Sequence, residues 1–173
     1  MRVGDQGHHG QPGGELPEDV TEGVLERWPV ARLATLGPEG PHAVPVVFAR
    51  AGGRLWSPVD GKPKSGAELA RLRHVRADPR VCLLLDDYTE EWSELWWLRV
   101  SGAARVVEPA DPARDPEVAA AVAALRGKYP QYGAIPVLRD PPRLLCIASL
   151  RLRSWCAGPA ALARLRATLA GYA

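Results

Sequence analysis

The chain has 173 residues, of which 46% are apolar and 24% charged, a composition typical of one globular domain and not of a disordered or disulfide-rich chain. The formal net charge is only +2, so no strong overall field attracts nucleic acid or anionic lipid, and we expect neither as a partner. No apolar run reaches the roughly 18 residues that span a bilayer, and the first residues lack the apolar segment of a signal peptide. The sequence therefore predicts a cytoplasmic protein.

Residues 1–16 combine Gly, His, Gln and Pro with almost no apolar side chains. Such a segment cannot repay the conformational entropy that ordering it would cost. We predict a disordered tail over residues 1–16, followed by a single folded domain over residues 17–173.

The first half of this domain alternates helical and strand patterns. Apolar residues recur every four residues from Pro17 to Trp28, which predicts a helix. The segment ARLATLGPEGPHAVPVVF is typical of a β-hairpin with the turn GPEG, and after a further turn, RAGG, the segment RLWSPV predicts a third strand. Helical spacing returns from Ser65 to Ala77, where Asp78-Pro79 ends it.

The second half predicts a buried strand RVCLLLDD, a long strand WWLRVSGAARVVE, a helix opened by Asp115-Pro116, and a final strand and helix. In the final strand, simple alternation places Leu144, Cys146, Ala148, Leu150 and Leu152 on one face, and Arg143, Ile147, Arg151, Arg153 and Trp155 on the other. Short successive strands with few intervening helices favour an antiparallel barrel with peripheral helices over alternating βαβ units.

The loop DGKPKS carries two of the three lysines in a chain that otherwise uses arginine. Lys62 and Lys64 are two residues apart, so both ammonium groups can point the same way in an extended segment. Ser65 and Glu68 have the spacing of a capping box, and a helix N-terminus beside two lysines favours a phosphate. An ordinary solvated turn explains the same residues, and the two readings stay open.

The segment WSELWW places Trp96 and Trp97 on opposite faces of a strand. At least one of these rings can therefore lie outside the barrel core, against a partner subunit or a planar ligand, although core packing is the alternative for each. Arg99 shares the face of Trp97, where it can contact an anion or a planar ring.

Motifs for catalytic side chains are missing from the sequence: it contains no GxSxG, HExxH, P-loop or dinucleotide-binding glycine pattern. His42 and His74 are expected at the surface, and the three cysteines (Cys82, Cys146, Cys156) are expected to be reduced and structural, with no metal site. A phosphate site without an acid–base pair is typical of chemistry that a cofactor carries. No catalytic side chain is assigned.

Four segments together resemble the pyridoxamine 5'-phosphate oxidase-like split-barrel superfamily, in particular its branch of flavin and deazaflavin oxidoreductases. They are RLATLGPEGPHAVPVVF, LWSPVDGKPKS, LRHVRADPRVCLLLDD and LRVSGAARVVE. The resemblance implies a mainly β split barrel that forms a homodimer with two cofactor sites at the interface. The chain departs from the flavin-binding oxidases in lacking their Arg-containing strand motif and their C-terminal Arg, so oxidation of pyridoxamine phosphate is not expected.

The resemblance also implies roles for particular residues. Lys64 and Ser65 correspond to the residues on the cofactor phosphate, with Lys62 as a second basic residue, and Trp97 corresponds to an aromatic residue near the ring. The positions along the ring and ribityl chain correspond to Pro45, Val46, Ser57 and Val59. The implied activity is hydride transfer between cofactor F420 and an unsaturated small molecule. The alternatives are an FMN-dependent oxidoreductase of the same fold and a non-enzymatic protein that binds or carries the cofactor.

Overall fold

Strands make up most of the fold in the computed structural model, which describes residues 13–59 and 69–172. The strands are β1 (Ala31–Gly37), β2 (Gly40–Val46), β3 (Ala49–Ala51), β4 (Arg54–Pro58), β5 (Arg80–Asp87), β6 (Trp96–Val107) and β7 (Leu144–Cys156). The helices are α1 (Glu18–Arg27), α2 (Ala70–Ala77), α3 (Pro116–Lys128) and α4 (Pro159–Ala170), with short 3₁₀ helices at Trp92–Glu94 and Pro130–Gly133. The expected mainly β architecture with peripheral helices is confirmed.

All neighbouring strands pair antiparallel, in the order β2-β1-β5-β6-β7-β4-β3. One face of the sheet encloses a large apolar core, to which α1, α2 and α4 contribute buried side chains. The opposite face, called here the outer face, is covered by α3 at one end, where a second core forms around Val118, Leu125 and Leu144. The outer face of β1, β5 and β6 at the other end of the sheet is thereby left open.

Asp115 caps α3 as the sequence predicts: its side chain accepts hydrogen bonds from the backbone N–H groups of Glu117 at 2.9 Å and Val118 at 3.3 Å. Pro116 follows at the first helical position, where a missing N–H carries no penalty.

Arg50 and Ala51, predicted as part of a turn, belong instead to the short strand β3 (Ala49–Ala51). It pairs with β4 through a two-residue turn in which Gly52 and Gly53 have φ values of +58° and +70°. A three-residue strand is too short to show an alternating pattern, which is why the sequence indicated only the turn.

The predicted faces of the final strand are wrong because β7 contains an extra residue. The register moves from Ala103 opposite Ala148 to Ser101 opposite Arg151, so β7 advances three residues while β6 advances two, and Ser149 adopts a φ of 54°. A bulge of this kind reverses the alternation beyond it. Ile147 consequently lies in the large core, whereas Arg151 is on the outer face.

The last four residues of the predicted tail are packed on the barrel. Gly14 exchanges two backbone hydrogen bonds with Cys156, of 3.0 and 2.8 Å, and the side chain of Leu16 is buried in the large core. Gly13 lies so close to Trp155 that a Cβ there would sit 2.5 Å from the indole nitrogen. Residues 1–12 lie outside the described residues.

Helix α2 begins at Ala70, not at Ser65 as predicted. Leu69 precedes the helix in an extended conformation, so the capping box proposed from Ser65 and Glu68 does not open α2. Ser65 and Glu68 themselves lie outside the described residues. The loop is therefore connected to the helix by at least one extended residue.

Candidate functional site

The open part of the outer face is an array of side chains set by the register of four strand pairs. One row across the sheet reads Pro45, Arg32, Leu84, Arg99 and Arg153. The row on one side reads Ala43, Ala34, Cys82, Ser101 and Arg151, and the row on the other side reads Asp86, Trp97 and Trp155. Directly opposed residues in antiparallel strands share a face, so these side chains form one continuous surface.

A groove of about 600 Å³ runs over this surface. Its lining residues are Arg32, Ala34, Ala43, Cys82, Leu84, Asp86, Tyr88, Trp97 and Arg99. Small or apolar side chains form the floor and an indole forms one wall, with charged groups near the rim. A groove with an apolar floor and few polar groups is the usual form of a small-molecule site.

The charges in the groove are unevenly compensated. Arg32 forms an ion pair of 2.8 Å with Asp86, whereas the guanidinium of Arg99 lies 5.9 Å from the centre of the Trp97 ring. Burial raises the pKa of the Cys82 thiol, against the opposing effects of the Arg99 charge and a hydrogen bond to Ser101. Cys82 is thus a protonated, apolar part of the floor at neutral pH.

The two adjacent tryptophans divide as the strand alternation requires. Trp96 is 2% exposed in the large core and meets Trp28 edge to face at 4.8 Å between ring centres. Trp97 is half-buried on the opposite face, in the groove. Trp97 is therefore the ring of this pair that is available to a ligand or partner.

The remaining predicted site residues fall in different places. Pro45 is exposed beside Arg32, at the side of the groove. Val46 and Val59 are buried in the large core, and the backbone N–H and C=O of Val59 are bonded to Arg143 and Arg139. Ser57 is also buried, and its hydroxyl has no hydrogen-bond partner among the described residues. The predicted phosphate residues Lys62, Lys64 and Ser65 lie outside the described residues.

Trp97 and the β4 residues are at opposite ends of the β6–β7 ladder. Trp97 pairs with Trp155 at one end, and Val107 pairs with Leu144, the neighbour of Pro58, at the other. Ten residue steps along β6 separate Trp97 from Val107, about 30 Å measured along the strand. Trp97 also faces the groove, whereas Val59 is buried in the large core, so one chain does not present the two side chains on one surface.

A family model described as pyridoxamine 5'-phosphate oxidase matches residues 17–156. The chain belongs to this family. The resemblance that the sequence showed is confirmed at family level, and so is the split-barrel fold. Among curated proteins none matches the chain.

Several solved structures share the fold of this chain. A conserved hypothetical protein from Mycobacterium tuberculosis is 21% identical, with a TM-score of 0.61, and the match covers 83% of this chain and 87% of that one. An F420 reductase is 23% identical with a TM-score of 0.50, covering 82% and 99%. A haem storage protein from Vibrio cholerae is 14% identical with a TM-score of 0.60, covering 82% and 96%. At these identities the matches establish the fold alone.

Within the family fold, the sequence missed the residues that β5 contributes to the groove. RVCLLLDD was interpreted as a wholly buried strand, but Cys82, Leu84 and Asp86 are only half-buried and face outward. The signal in the sequence was Asp86: its carboxylate is two residues from Leu84 and four from Cys82, so all three side chains must lie on the same face of the strand. No helix in residues 13–59 and 69–172 combines the length and apolar character needed to cross a membrane.

His42 and His74 are not isolated surface residues as predicted. Their rings meet edge to face at 5.2 Å between centres, and the Nδ1 of His74 lies 3.0 Å from the Thr35 hydroxyl oxygen. They line a separate cavity of about 760 Å³ between α2 and the β1–β2 turn. The described lining of the groove itself contains no histidine.

Proposed function

We propose that this family member is an oxidoreductase that uses cofactor F420 and passes a hydride between the deazaflavin and an unsaturated small molecule. The observation that carries the proposal is the groove on the outer face, because its indole wall and apolar floor suit a planar ring. The chain also belongs to the pyridoxamine 5'-phosphate oxidase family, which is consistent with a cofactor of this shape. Solved relatives that include an F420 reductase support the choice of cofactor.

The groove residues fit a deazaflavin by shape and polarity. Trp97 would lie against the ring system, and Leu84 and Cys82 would exclude water from its face. When bound, the cofactor supplies hydride transfer at a ring carbon, so no side chain has to act as a nucleophile. The chain's own task is to hold the ring and the acceptor together in a dry site.

Phosphate binding is assigned in this proposal to Lys64 and Ser65, with Lys62 as a second cation. These residues follow β4, whose end is far from Trp97 along the ladder. Pro45, Val46, Ser57 and Val59 are proposed to shape the strand ends beside the ring and ribityl chain. A homodimer would resolve this separation, because Trp97 of one protomer and the loop after Val59 of its partner could then bind the same cofactor molecule.

Two alternatives are kept because specific observations favour them. An FMN-dependent oxidoreductase is favoured by the flavin chemistry of the enzyme after which the family is described. A cofactor carrier is favoured by the ion pair that holds Asp86, the carboxylate of the described groove, to Arg32.

Fluorescence titration of the purified protein with F420 and, in parallel, with FMN tests the proposal. F420 should bind more tightly than FMN, and Lys64→Ala should weaken F420 binding by about 1.5 to 3 kcal/mol, the value of a charged hydrogen bond. Arg114→Ala, at an arginine whose side chain is 89% exposed, is the control and should bind like the wild type. Preference for FMN would select the first alternative, and tight binding without turnover of any acceptor would select the carrier.

A further inference from the structure

The outer face carries three arginines that have no acidic partner among the described residues. Arg99, Arg151 and Arg153 are all exposed, and no carboxylate within the described residues forms an ion pair with any of them. Other arginines of the same sheet differ: Arg32 is paired with Asp86, and Arg80 with Asp78. The whole chain has a net charge of only +2, so this patch, the arginine triad, concentrates positive charge locally.

In the absence of a ligand, the strand register places these positive charges where they destabilise the sheet. Arg99 and Arg153 are directly opposite one another on β6 and β7, and Arg151 is two residues from Arg153 on the same face. Like charges directly opposite in an antiparallel pair repel and destabilise the sheet. An oxyanion placed between them would remove this repulsion, and two guanidinium groups offer it several charge-assisted hydrogen bonds.

The residues around the arginine triad indicate what the remainder of a bound ligand would look like. Arg99 lies at the rim of the groove, beside the Trp97 ring and opposite Leu84 on β5. A second depression of about 400 Å³ includes Arg151 and shares Cys82 with the groove, so the surface is continuous past the triad. A ligand that contacts both the groove and the arginine triad therefore has a flat apolar body and an acidic group.

We propose that Arg99, Arg151 and Arg153 form a binding site for an oxyanion, a carboxylate or phosphate group, on a ligand whose flat apolar part lies against Trp97. The oxyanion can belong to the cofactor or to another ligand. In the first case the inference rests on the proposed function, because the flat part against Trp97 is then the deazaflavin ring; in the second case Trp97 holds that other ligand in place of the ring.

Calorimetric titration with 2-naphthoate and its uncharged analogue 2-naphthamide, with no cofactor present, tests the site. Naphthoate should bind at least tenfold more tightly than naphthamide, and Arg153→Glu should reduce naphthoate affinity about tenfold to hundredfold, the loss expected for charged hydrogen bonds. Arg114→Glu changes the net charge equally at a distant exposed position and should leave naphthoate affinity unchanged.

A second readout separates binding from general electrostatics. Arg153→Glu replaces a repulsive cross-strand pair by an attractive one opposite Arg99, so the variant should melt at a higher temperature than the wild type while binding less naphthoate. Inorganic phosphate should raise the melting temperature of the wild type and of Arg114→Glu, but not that of Arg153→Glu.

The source of the oxyanion follows from titrating Arg153→Glu with F420 as well. Loss of naphthoate binding with intact F420 binding assigns the site to a substrate, and loss of F420 binding assigns it to the acidic groups of the cofactor. Equal affinities for naphthoate and naphthamide would overturn the inference. So would a change of oligomeric state in Arg153→Glu with unchanged affinities, because an acidic side chain of a second copy would then be the occupant. The naphthoate experiment needs no cofactor, so its failure is distinguishable from failure of the F420 proposal.

Discussion

Lys128 is the only lysine among the described residues, and its amine is largely buried. Its Nζ donates a 3.1 Å hydrogen bond to the carbonyl oxygen of Leu25, near the end of α1, and lies 3.6 Å from the centre of the Phe48 ring. Burial lowers the pKa of Lys128 from 10.5 to about 7, although the charge of Glu26 acts in the opposite direction. The stability of the protein should therefore depend on pH through this residue.

The sign follows from comparing the folded and unfolded chains. Between pH 7 and 10.5 the unfolded chain holds the lysine proton more strongly, so folding releases it and stability rises with pH across this window. From pH 7 to 9 the gain is about 2 kcal/mol for this pair of pKa values. Once the pH is about one unit or more below the folded pKa, both states are protonated and the contribution of Lys128 is constant.

Urea unfolding from pH 6.5 to 9.5 measures this effect on the wild type, Lys128→Met and Lys128→Arg. Neither substituted side chain titrates in this range, so both variants should lack the Lys128 part of the slope, while all other groups titrate equally in the three proteins. Parallel stability curves for wild type and Lys128→Met would refute the reasoning. They would mean that the Leu25 carbonyl and the Phe48 ring keep the folded amine charged throughout.

Three further substitutions test the packing of the barrel by urea unfolding. Gly102→Ala should destabilise by about 2 kcal/mol or more, because the new Cβ would sit 2.6 Å from the Ala148 carbonyl oxygen; wild-type stability would contradict the close approach. Gly127→Ala, in α3 with open space around it, should instead stabilise by about 0.5 to 1 kcal/mol, and a loss would contradict the helical assignment. Tyr129→Phe should cost about 1 to 3 kcal/mol, since it leaves the Phe48 N–H, now 3.0 Å from the hydroxyl, buried without an acceptor; a neutral result would mean that this N–H finds another acceptor.

The main elements were predictable because their signals are local. The cap formed by Asp115 and Pro116 and the hairpin around GPEG depend on neighbouring residues, and the structure contains both. The faces of β7 were not predictable, because the bulge at Ser149 depends on how β6 and β7 align and not on the alternation of either strand. The strand β3 was not predictable either, because three residues are too few to show an alternating pattern.

The candidate site was predictable only where a single strand decides the outcome. Trp97 was identified because adjacent residues of one strand must face opposite ways. The opposition of Arg99 and Arg153 depends on register across two strands 54 residues apart, 153 minus 99, and no local pattern encodes it. The groove itself, to which β1, β2, β5 and β6 all contribute, could not be assembled before the strand order was known.

The packing of Gly13 against Trp155 bears on how the protein should be prepared for these experiments. Trp155 is opposite Trp97 and two residues from Arg153, so Gly13 lies on the side of the barrel that carries the arginine triad. An affinity tag at the N-terminus would be tethered through Gly13, and its histidines or acidic linker could therefore reach the surface whose anion binding is to be measured. The other end of the chain is better placed, since the Tyr172 ring is 6.0 Å from that of Trp28, next to α1. Titrations of the outer face therefore call for a C-terminal tag, or for removal of an N-terminal one.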